Sequence, residues 1–560
     1  MRPIELQQDI TPLKRQKSET SFLKRVVMAS WVVLFATAVY QIIFFPEIVN
    51  LIAISAVVLA WAIVTNIWLT KKMLERYLLS TFMILGFASS QFYFPLLFTT
   101  IENKPLIYNL ELPEQVFLHS SLALLVLAIA HASYRFLMRA SPDRPLSVLD
   151  KAGFFQAPAY LQLWIMGFVG MASSFYVHFA SPEIGQEVTG AAGDKIVQAL
   201  VPFMYAPFFI PLGKLYGNHN KIPRSSLPLI LAYSVLLFAI SLARNSRSAF
   251  IFGLTTPAFA YVLGLLLGVF KTKIMTARNV ILGGSVIFLL TGPLGDLGIA
   301  MLIVRGDAER VQDIPPAELI TLTLEALDDE VAIERRREED RGASMDADWD
   351  ERYLDNLFTA RFSNIKFNDS NLITYSRVGD FDPDMQEYTL DQLIAALPDP
   401  VIKLFDFDVD KEGTLLMSFG DYLYILSGGN GTPQGLRIGH IAGTGMSTFG
   451  WWYLFLLGAV MIPVFYLIDK FFRPVKKVDE QVVEESESRF KLSFCGVLVL
   501  TFLFQFFGIE SVVFGATFLI RGWIQMVLLY FVIFHITRVI AGIFTSKRKR
   551  LRFSPAPNPI

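Results

Sequence analysis

The sequence predicts an all-α polytopic membrane protein with about twelve transmembrane helices and one large, partly helical periplasmic or extracellular loop. Of its 560 residues, 53% are hydrophobic and only 18% are charged, and the mean hydropathy is +0.47. The apolar residues also come in runs of about twenty, enough to cross roughly 30 Å of hydrocarbon at 1.5 Å per residue. These observations exclude a chain of ordinary soluble domains, and a net charge of −1 gives no sign of nucleic-acid binding.

Twelve apolar runs account for the predicted spans and divide the chain. A cytoplasmic tail (1–25) precedes nine spans (26–304), a large outer loop (305–449), three further spans (450–543) and a basic cytoplasmic tail (544–560). The runs are Val26–Phe45, Val49–Thr70, Tyr77–Thr99, Val116–Leu137, Pro158–Phe179, Ile196–Leu215, Leu227–Ala243, Ala249–Phe270, Asn279–Val304, Gly450–Phe472, Leu492–Phe507 and Gly522–Gly542.

The short loops indicate the orientation, because cytoplasmic loops accumulate Lys and Arg. Alternate loops carry such residues, among them Lys71, Lys271 and Lys476, and the C-terminal tail is basic. Both termini are therefore predicted to be cytoplasmic, in a multi-pass protein of the cell inner membrane. The same assignment places the aromatic residues at the ends of the apolar runs in the membrane interface, and it makes membrane lipids a partner of the spans.

The large loop is predicted to be a folded cap. Its first part carries mixed charge and should form solvated helices. Tyr388–Phe405 contains Pro398 and Pro400, which predicts a broken helix lying along the membrane surface. Its apolar stripe should be buried, and comprises Tyr388, Leu390, Leu393, Ile394 and Leu397.

Two arginines, Arg244 and Arg247, fall at the outer ends of spans seven and eight, against the usual charge bias. Three-residue spacing in a turn allows both guanidinium groups to face one anion, and their planar donors suit phosphate. The alternative is a pair of interface anchors that extend to the lipid headgroups.

A second candidate motif precedes the tenth span. Arg437 and His440 stand three residues apart beside the bilayer, so a cation lies close to an imidazole that can accept a hydroxyl proton. The alternative is a solvated, inert loop histidine. Asp296 and Glu510 are acids within or beside apolar runs and need partners, for which the outer arginines are candidates.

The architecture resembles the O-antigen polymerase and ligase superfamily of bacterial membrane glycosyltransferases, particularly the Wzy-type repeat-unit polymerases. That family is similar in its number of spans, its outer arginine in mid-chain and its large outer loop in the C-terminal half. His440, Gly450 and Tyr453 resemble a motif of the ligase branch, although the spacing is one residue short and Ile441 departs from the pattern. The segment from Ser447 to Trp451 resembles the entry to a helix in the polymerase branch.

The resemblance implies a polymerase that joins oligosaccharide repeat units carried on undecaprenyl pyrophosphate, for O-antigen, capsule or exopolysaccharide. Its roles would be pyrophosphate binding by Arg244 or Arg247 together with Arg305, and acceptor binding or deprotonation by His440 with Arg437. Asp296 is assigned to the substrate site as well. The sequence shows no metal-ligand spacing, so metal-independent chemistry without a cofactor is expected. The expected partners are membrane lipids, a chain-length regulator and a flippase.

Three other functions stay open at this stage. An O-antigen ligase would use the same parts. A transporter or flippase for lipid-linked sugars would instead have paired broken helices and polar residues near mid-membrane. A sensor or assembly scaffold would use the loop only to bind a partner.

Overall fold

The computed structural model describes residues 11–138, 147–177, 197–243, 247–270, 285, 292–307, 314–342, 349–430, 437–474 and 490–552. It is mostly helical, with one two-stranded sheet in the described part of the chain. In the first half, the α-helices are Thr11–Phe44, Ile48–Ile67, Lys71–Leu74, Leu78–Ala88, Phe94–Ile101, Pro113–Leu137, Val148–Lys151, Tyr160–Phe175, Ser226–Ala243, Arg247–Leu266, and a 3-10 helix covers Val201–Tyr216.

The second half is built from shorter helices. They are Pro293–Asp307, Pro316–Asp328, Glu330–Gly342, Leu357–Ala360, Ile365–Val378, Pro383–Ala395, Asp399–Leu404, Lys411–Leu416, Phe419–Leu426, Ile441–Phe449, Trp452–Ile468, Phe494–Leu498, Leu500–Phe504, Val512–Thr517 and Trp523–Arg552. Strands Phe472–Pro474 and Phe490–Leu492 pair antiparallel.

Eight described helices are long and apolar enough to cross a membrane, so the chain is a multi-pass membrane protein. Three shorter apolar helices lie among them. The eight spans are Phe22–Phe44, Ile48–Ile67, Leu78–Ile101, Pro113–Leu137, Val197–Tyr216, Ser226–Ala243, Trp452–Phe471 and Val512–Phe544.

The predicted eleventh span, Leu492–Phe507, is wrong as one continuous helix. Two five-residue helices occupy it, Phe494–Leu498 and Leu500–Phe504, and Val499 between them has a ψ of 4°. Phe506 then adopts a φ of 54°, a left-handed conformation that ends helical geometry. This broken segment packs closely on another span: a Cβ on Gly86 would stand 2.0 Å from the Phe504 carbonyl oxygen.

Below, the loop end of the bundle means the end where Ile101 and Pro113 lie, and the opposite end is where Tyr77 and Asp469 lie. At the opposite end, a buried polar network joins two spans. The Asp469 carboxylate accepts hydrogen bonds from the Leu79 and Ser80 N–H groups at 3.0 Å and from the Ser80 hydroxyl at 2.6 Å. Because these N–H groups begin a helix, Asp469 satisfies donors that would otherwise be unpaired.

Part of the predicted outer loop is buried against the spans. The polar helix, Ile365–Val378, contains Lys366 and Asp369, which form an ion pair at 2.8 Å with side chains 4% and 0% exposed. Asp369 also accepts the N–H groups of Glu111 and Leu112, which precede a span. The large loop is therefore anchored in the bundle by a charged pair whose remaining bonds are satisfied.

The broken helix predicted at Tyr388–Phe405 is confirmed as two helices, Pro383–Ala395 and Asp399–Leu404, separated at Pro398. The predicted stripe is only partly right. Tyr388 is buried, but Leu390 is 56% exposed. Met385 takes part in the buried face instead, in a cluster with Tyr388 and Val513.

Candidate functional site

A cavity of about 260 Å³ opens at the loop end of the bundle. It lies where the span Leu78–Ile101 ends, beside the helices Pro293–Asp307 and Glu330–Gly342. Apolar side chains form part of the wall, and charged and amide side chains form the rest. The lining residues are Phe98, Ile101, Glu102, Gly295, Ile299, Arg337, Asp355, Asn356 and Thr359.

Arg337 is the cation of the cavity wall. Its guanidinium group donates through Nη2 to Asp296 and through Nη1 to Glu334, the latter at 3.0 Å. Its side chain remains 37% exposed. The sequence led us to expect an outer arginine as the partner of Asp296. The structure supplies Arg337, which lies in a stretch of mixed charge predicted only to be solvated.

The facing wall holds two carboxylates around one ammonium group. Glu102 accepts the backbone N–H groups of Asp355 and Asn356 at 2.8 and 3.0 Å. Lys104 lies 3.0 Å from Glu102 and 2.7 Å from the Asp355 carboxylate, whose side chain is 45% exposed. These hydrogen bonds fix residues 355–356 to the end of a span and position the Asp355 carboxylate at the cavity.

The structure gives at most a backbone position for each of the three arginines assigned to pyrophosphate. Arg244 lies outside the described residues. Arg247 begins the helix Arg247–Leu266 and Arg305 lies in the helix Pro293–Asp307, with their side chains outside the description. The helix end at Leu242 packs against Leu297 in the same corner as Asp296.

His440 lies away from the cavity, buried within the bundle. It is 1% exposed and is the N-cap of the capped helix, Ile441–Phe449. Its Nδ1 accepts the Ala442 N–H at 3.3 Å, and its Nε2 lies 3.3 Å from the Gln91 amide nitrogen. Burial lowers the pKa of His440 to about 3, with His119 as a further cause. Protonation would also remove the acceptor that caps the helix.

A chain of buried polar groups continues from His440. The Ser120 hydroxyl donates to the Gln91 Oε1 at 3.1 Å and lies 3.0 Å from the Asn368 Nδ2, which donates to it. Gln91 belongs to a π-helical turn, Ser89–Tyr93, that interrupts the span Leu78–Ile101. Such turns are frequent at functional sites.

Arg437 is not one of the residues that line the cavity, and it contacts Asp421 and Tyr424. Its Nη1 lies 3.4 Å from Asp421, and its guanidinium carbon stands 4.0 Å from the centre of the Tyr424 ring. The half-buried Glu351 accepts the Ile438 N–H at 3.4 Å. Burial raises the pKa of Glu351, although Trp349, Ile438 and Arg437 oppose the shift.

Glu510 borders the same group. Burial raises the pKa of Glu510 to about 7, with the Asp421 charge as a second cause. Asp296, the other acid expected to need a partner, pairs with Arg337. In the described part of the chain, no group of three or more His, Cys, Asp or Glu side chains is placed to hold a metal ion.

The structure thus separates the predicted site residues into two places. Asp296 lies beside the cavity, where it pairs with the lining residue Arg337. His440 and Arg437 lie elsewhere, among the buried polar groups described above. Gln91 and Glu102 belong to one nearly continuous helix, so the two places are roughly 16 Å apart at 1.5 Å per residue. Sequence reasoning missed Arg337 and Gln91. Gln91 carried a usable signal, an uncharged polar residue inside an apolar run.

Comparison with known proteins identifies no relative: no protein-family model, no curated protein and no solved structure matches this chain.

Proposed function

We propose that this protein is a membrane glycosyltransferase that joins oligosaccharide repeat units carried on undecaprenyl pyrophosphate. The observation that carries the proposal is the cavity at the loop end of the bundle. A lipid-linked sugar has an apolar chain, an anionic pyrophosphate and a hydroxylated glycan, and each part requires a different surface. The cavity wall offers all three surfaces.

The apolar part of the wall suits the polyprenyl chain. Phe98 and Ile101 lie at the end of a candidate span, and Ile299 lies on a neighbouring apolar helix. Ile101 is 66% exposed. A lipid substrate can therefore reach the cavity from the side of the bundle without first leaving the apolar phase.

The pyrophosphate is assigned to Arg337. Its pair with Glu334 is a surface contact, since Glu334 is 51% exposed, and such pairs contribute little. A phosphate oxygen can displace Glu334 while Asp296 keeps the guanidinium plane in position. We retain Arg244, Arg247 and Arg305 as further cations, because Arg305 lies on a helix that lines the cavity and the other two follow, along the chain, the helix whose end at Leu242 packs against Leu297.

In the proposed reaction, a hydroxyl of the acceptor sugar attacks the anomeric carbon of the donor glycan. A new carbon–oxygen bond forms, the bond from that carbon to pyrophosphate breaks, and undecaprenyl pyrophosphate leaves. We assign acceptance of the hydroxyl proton to Asp355, whose carboxylate lines the cavity in its ion pair with Lys104, and stabilisation of charge on the leaving group to Arg337. His440, being buried, then acts as a positioning residue through Gln91.

Two observations favour a second function, the transport of lipid-linked sugars. A transporter requires discontinuous helices and buried polar groups within the membrane region. The break between Phe494–Leu498 and Leu500–Phe504 and the polar chain from His440 to Asn368 are features of this kind. A ligase would share the cavity chemistry and differ in its acceptor.

The test uses purified full-length protein in vesicles with lipid-linked repeat units. A ladder of longer glycans supports the polymerase, and transfer to a lipid A core acceptor without a ladder supports the ligase. Movement of the substrate across the bilayer without a new glycosidic bond supports the transporter and contradicts the enzyme.

A further inference from the structure

We infer that the aromatic hairpin, Leu404–Phe407, inserts into the lipid bilayer and anchors the large loop on the membrane. Its partner is the acyl-chain region at the bilayer surface. This inference does not depend on the proposed catalytic function.

The hairpin exposes a compact apolar surface. Leu404, Phe405 and Phe407 are 77%, 64% and 41% exposed. The two phenyl rings stack with centroids 5.8 Å apart, which leaves them together on one side. Asp406 between them has a φ of 52°, so the chain turns sharply at the tip. Exposed, adjacent aromatic rings of this kind mark an interaction surface.

The hairpin has a fixed base. The Lys411 ammonium donates to the Leu397 carbonyl oxygen at 2.8 Å and pairs with Asp399. These contacts close the chain between 397 and 411 into one unit. The exposed rings therefore belong to an ordered projection, whose position depends on the helix that precedes it.

The helix Pro383–Ala395, which comes before the short helix Asp399–Leu404, packs against the beginning of the last span. Near its start, Met385 packs in a cluster with Val513. Just past its end, the Ala396 carbonyl oxygen accepts a hydrogen bond from Arg521 at 3.3 Å. Arg521 comes after Val513 along the span Val512–Phe544 and so lies closer to the middle of that span. The helix Pro383–Ala395 therefore approaches the membrane from its first residue to its last.

Arg521 marks the membrane boundary on this side. The last span has 33 residues, roughly 50 Å at 1.5 Å per residue, and so exceeds the hydrocarbon core by about 20 Å. Arg538 is the next arginine along it, and the intervening stretch covers roughly 26 Å, close to one hydrocarbon thickness. Ile524 and Leu528, just beyond Arg521, are exposed as lipid-facing residues would be.

The hairpin begins eight residues after Ala396, at the end of the short helix Asp399–Leu404, and its base at Leu397 and Lys411 adjoins the Arg521 contact that marks where this lipid-facing surface begins. Because the base lies at this level and the rings are exposed, lipid is the occupant that we assign to them. Because Phe405 and Phe407 stack on one side of the turn at Asp406, both rings can enter the lipid together while the exposed Asp406 and Asp408 carboxylates stay in the headgroup region. The apolar stripe predicted at Tyr388–Leu397 serves chiefly to hold the anchor in place.

The experiment measures lipid contact in the full-length protein. Single cysteines replace Phe405 or Phe407 and carry an environment-sensitive fluorophore, in vesicles of phosphatidylcholine with or without brominated acyl chains. Val331→Cys is the matched control, because Val331 is 68% exposed on the loop helix Glu330–Gly342. Asp408→Cys tests the acidic side of the hairpin. The native Cys495 is 2% exposed and gives the unlabelled background.

Bromine quenching several-fold stronger at 405 and 407 than at 331 and 408 is expected. Equal quenching at 405, 407 and 331 would overturn the inference. A blue-shifted fluorophore without bromine quenching would also overturn it, because a protein surface would then cover the hairpin. Each labelled variant is first checked for a wild-type elution profile, and Leu404→Cys serves as a further position if either phenylalanine variant fails to fold.

Discussion

Arg337 and His440 show how burial decides what a residue can do. Arg337 keeps a third of its side chain in an open cavity while two carboxylates orient its guanidinium group. His440 is fully enclosed, and its ring is used as a helix cap. Both side chains carry nitrogen donors, but only the first can meet a substrate in the described conformation.

The first prediction concerns Arg337. Arg337→Ala should lower polymer formation on the order of a hundredfold, because one preorganised donor to a developing anion is lost. Arg337→Lys should restore little, since lysine keeps the charge and lacks the planar fork. Arg335→Ala, at an exposed position on the same helix, is the control. Equal product ladders from all three variants would remove Arg337 from the site.

The second prediction concerns His440→Asn, because asparagine preserves an N-cap without a titratable ring. The pKa of His440 is lowered in the folded state, so below about pH 6.5 only the unfolded state takes up the proton. Wild-type stability should therefore fall by about 1.4 kcal/mol per pH unit from that pH toward pH 3, relative to the variant.

Thermal unfolding in detergent at pH 7 and pH 5 measures this difference. The variant should be the less acid-sensitive protein and should keep most of its turnover at pH 7. Parallel acid sensitivity would contradict the buried neutral imidazole. Complete loss of turnover in a folded variant would instead favour the proton-acceptor role predicted from the sequence.

At the scale of elements, the polar helix and the capped helix connect the loop to the spans. Hydropathy predicted most spans to within a few residues, because a bilayer requires a long apolar run. It did not predict that Ile365–Val378 is buried. That helix has little net hydrophobicity, and its burial depends on Asp369 and Lys366 finding partners that are distant in sequence.

The third prediction is that Asp369→Ala destabilises the folded protein by about 3–5 kcal/mol, because Lys366 would remain buried and unpaired. The N–H groups of Glu111 and Leu112 would also lose their acceptor. Glu75→Ala, which breaks a surface pair with Lys71, should cost under about 1 kcal/mol. The midpoint of thermal unfolding in detergent distinguishes the two, and similar shifts for both would contradict the buried pair.

The fourth prediction uses the close contact between the polar helix, Ile365–Val378, and the capped helix, Ile441–Phe449. A Cβ at Gly443 would lie 2.4 Å from the Asn371 carbonyl oxygen, and backbone cannot yield as a flexible side chain can. Gly443→Ala should therefore separate the helices and lower the unfolding temperature. Gly542→Ala has open space at its Cβ and should be neutral. A stable Gly443→Ala protein would show that this contact is not close.

For the whole molecule, composition and apolar runs of about twenty residues predicted a multi-pass helical membrane protein, and the structure confirms that class. The exact number of spans and the orientation stay predictions. The candidate site was harder to predict, because its parts come from residues 98–102, 295–299, 337 and 355–359. In the sequence, Arg337 cannot be distinguished from a solvated arginine, because its partner Asp296 is distant along the chain.

Under the proposed function, the protein forms glycosidic bonds by expelling undecaprenyl pyrophosphate. The most direct measurement incubates purified protein with lipid-linked repeat units and quantifies, by mass spectrometry, both the released lipid pyrophosphate and the new glycan bonds. We expect one released lipid pyrophosphate for every bond formed, with both signals greatly reduced in Arg337→Ala and unchanged in Arg335→Ala. Cognate substrate that is bound or moved across the vesicle membrane, with neither a new bond nor released lipid pyrophosphate, would contradict it.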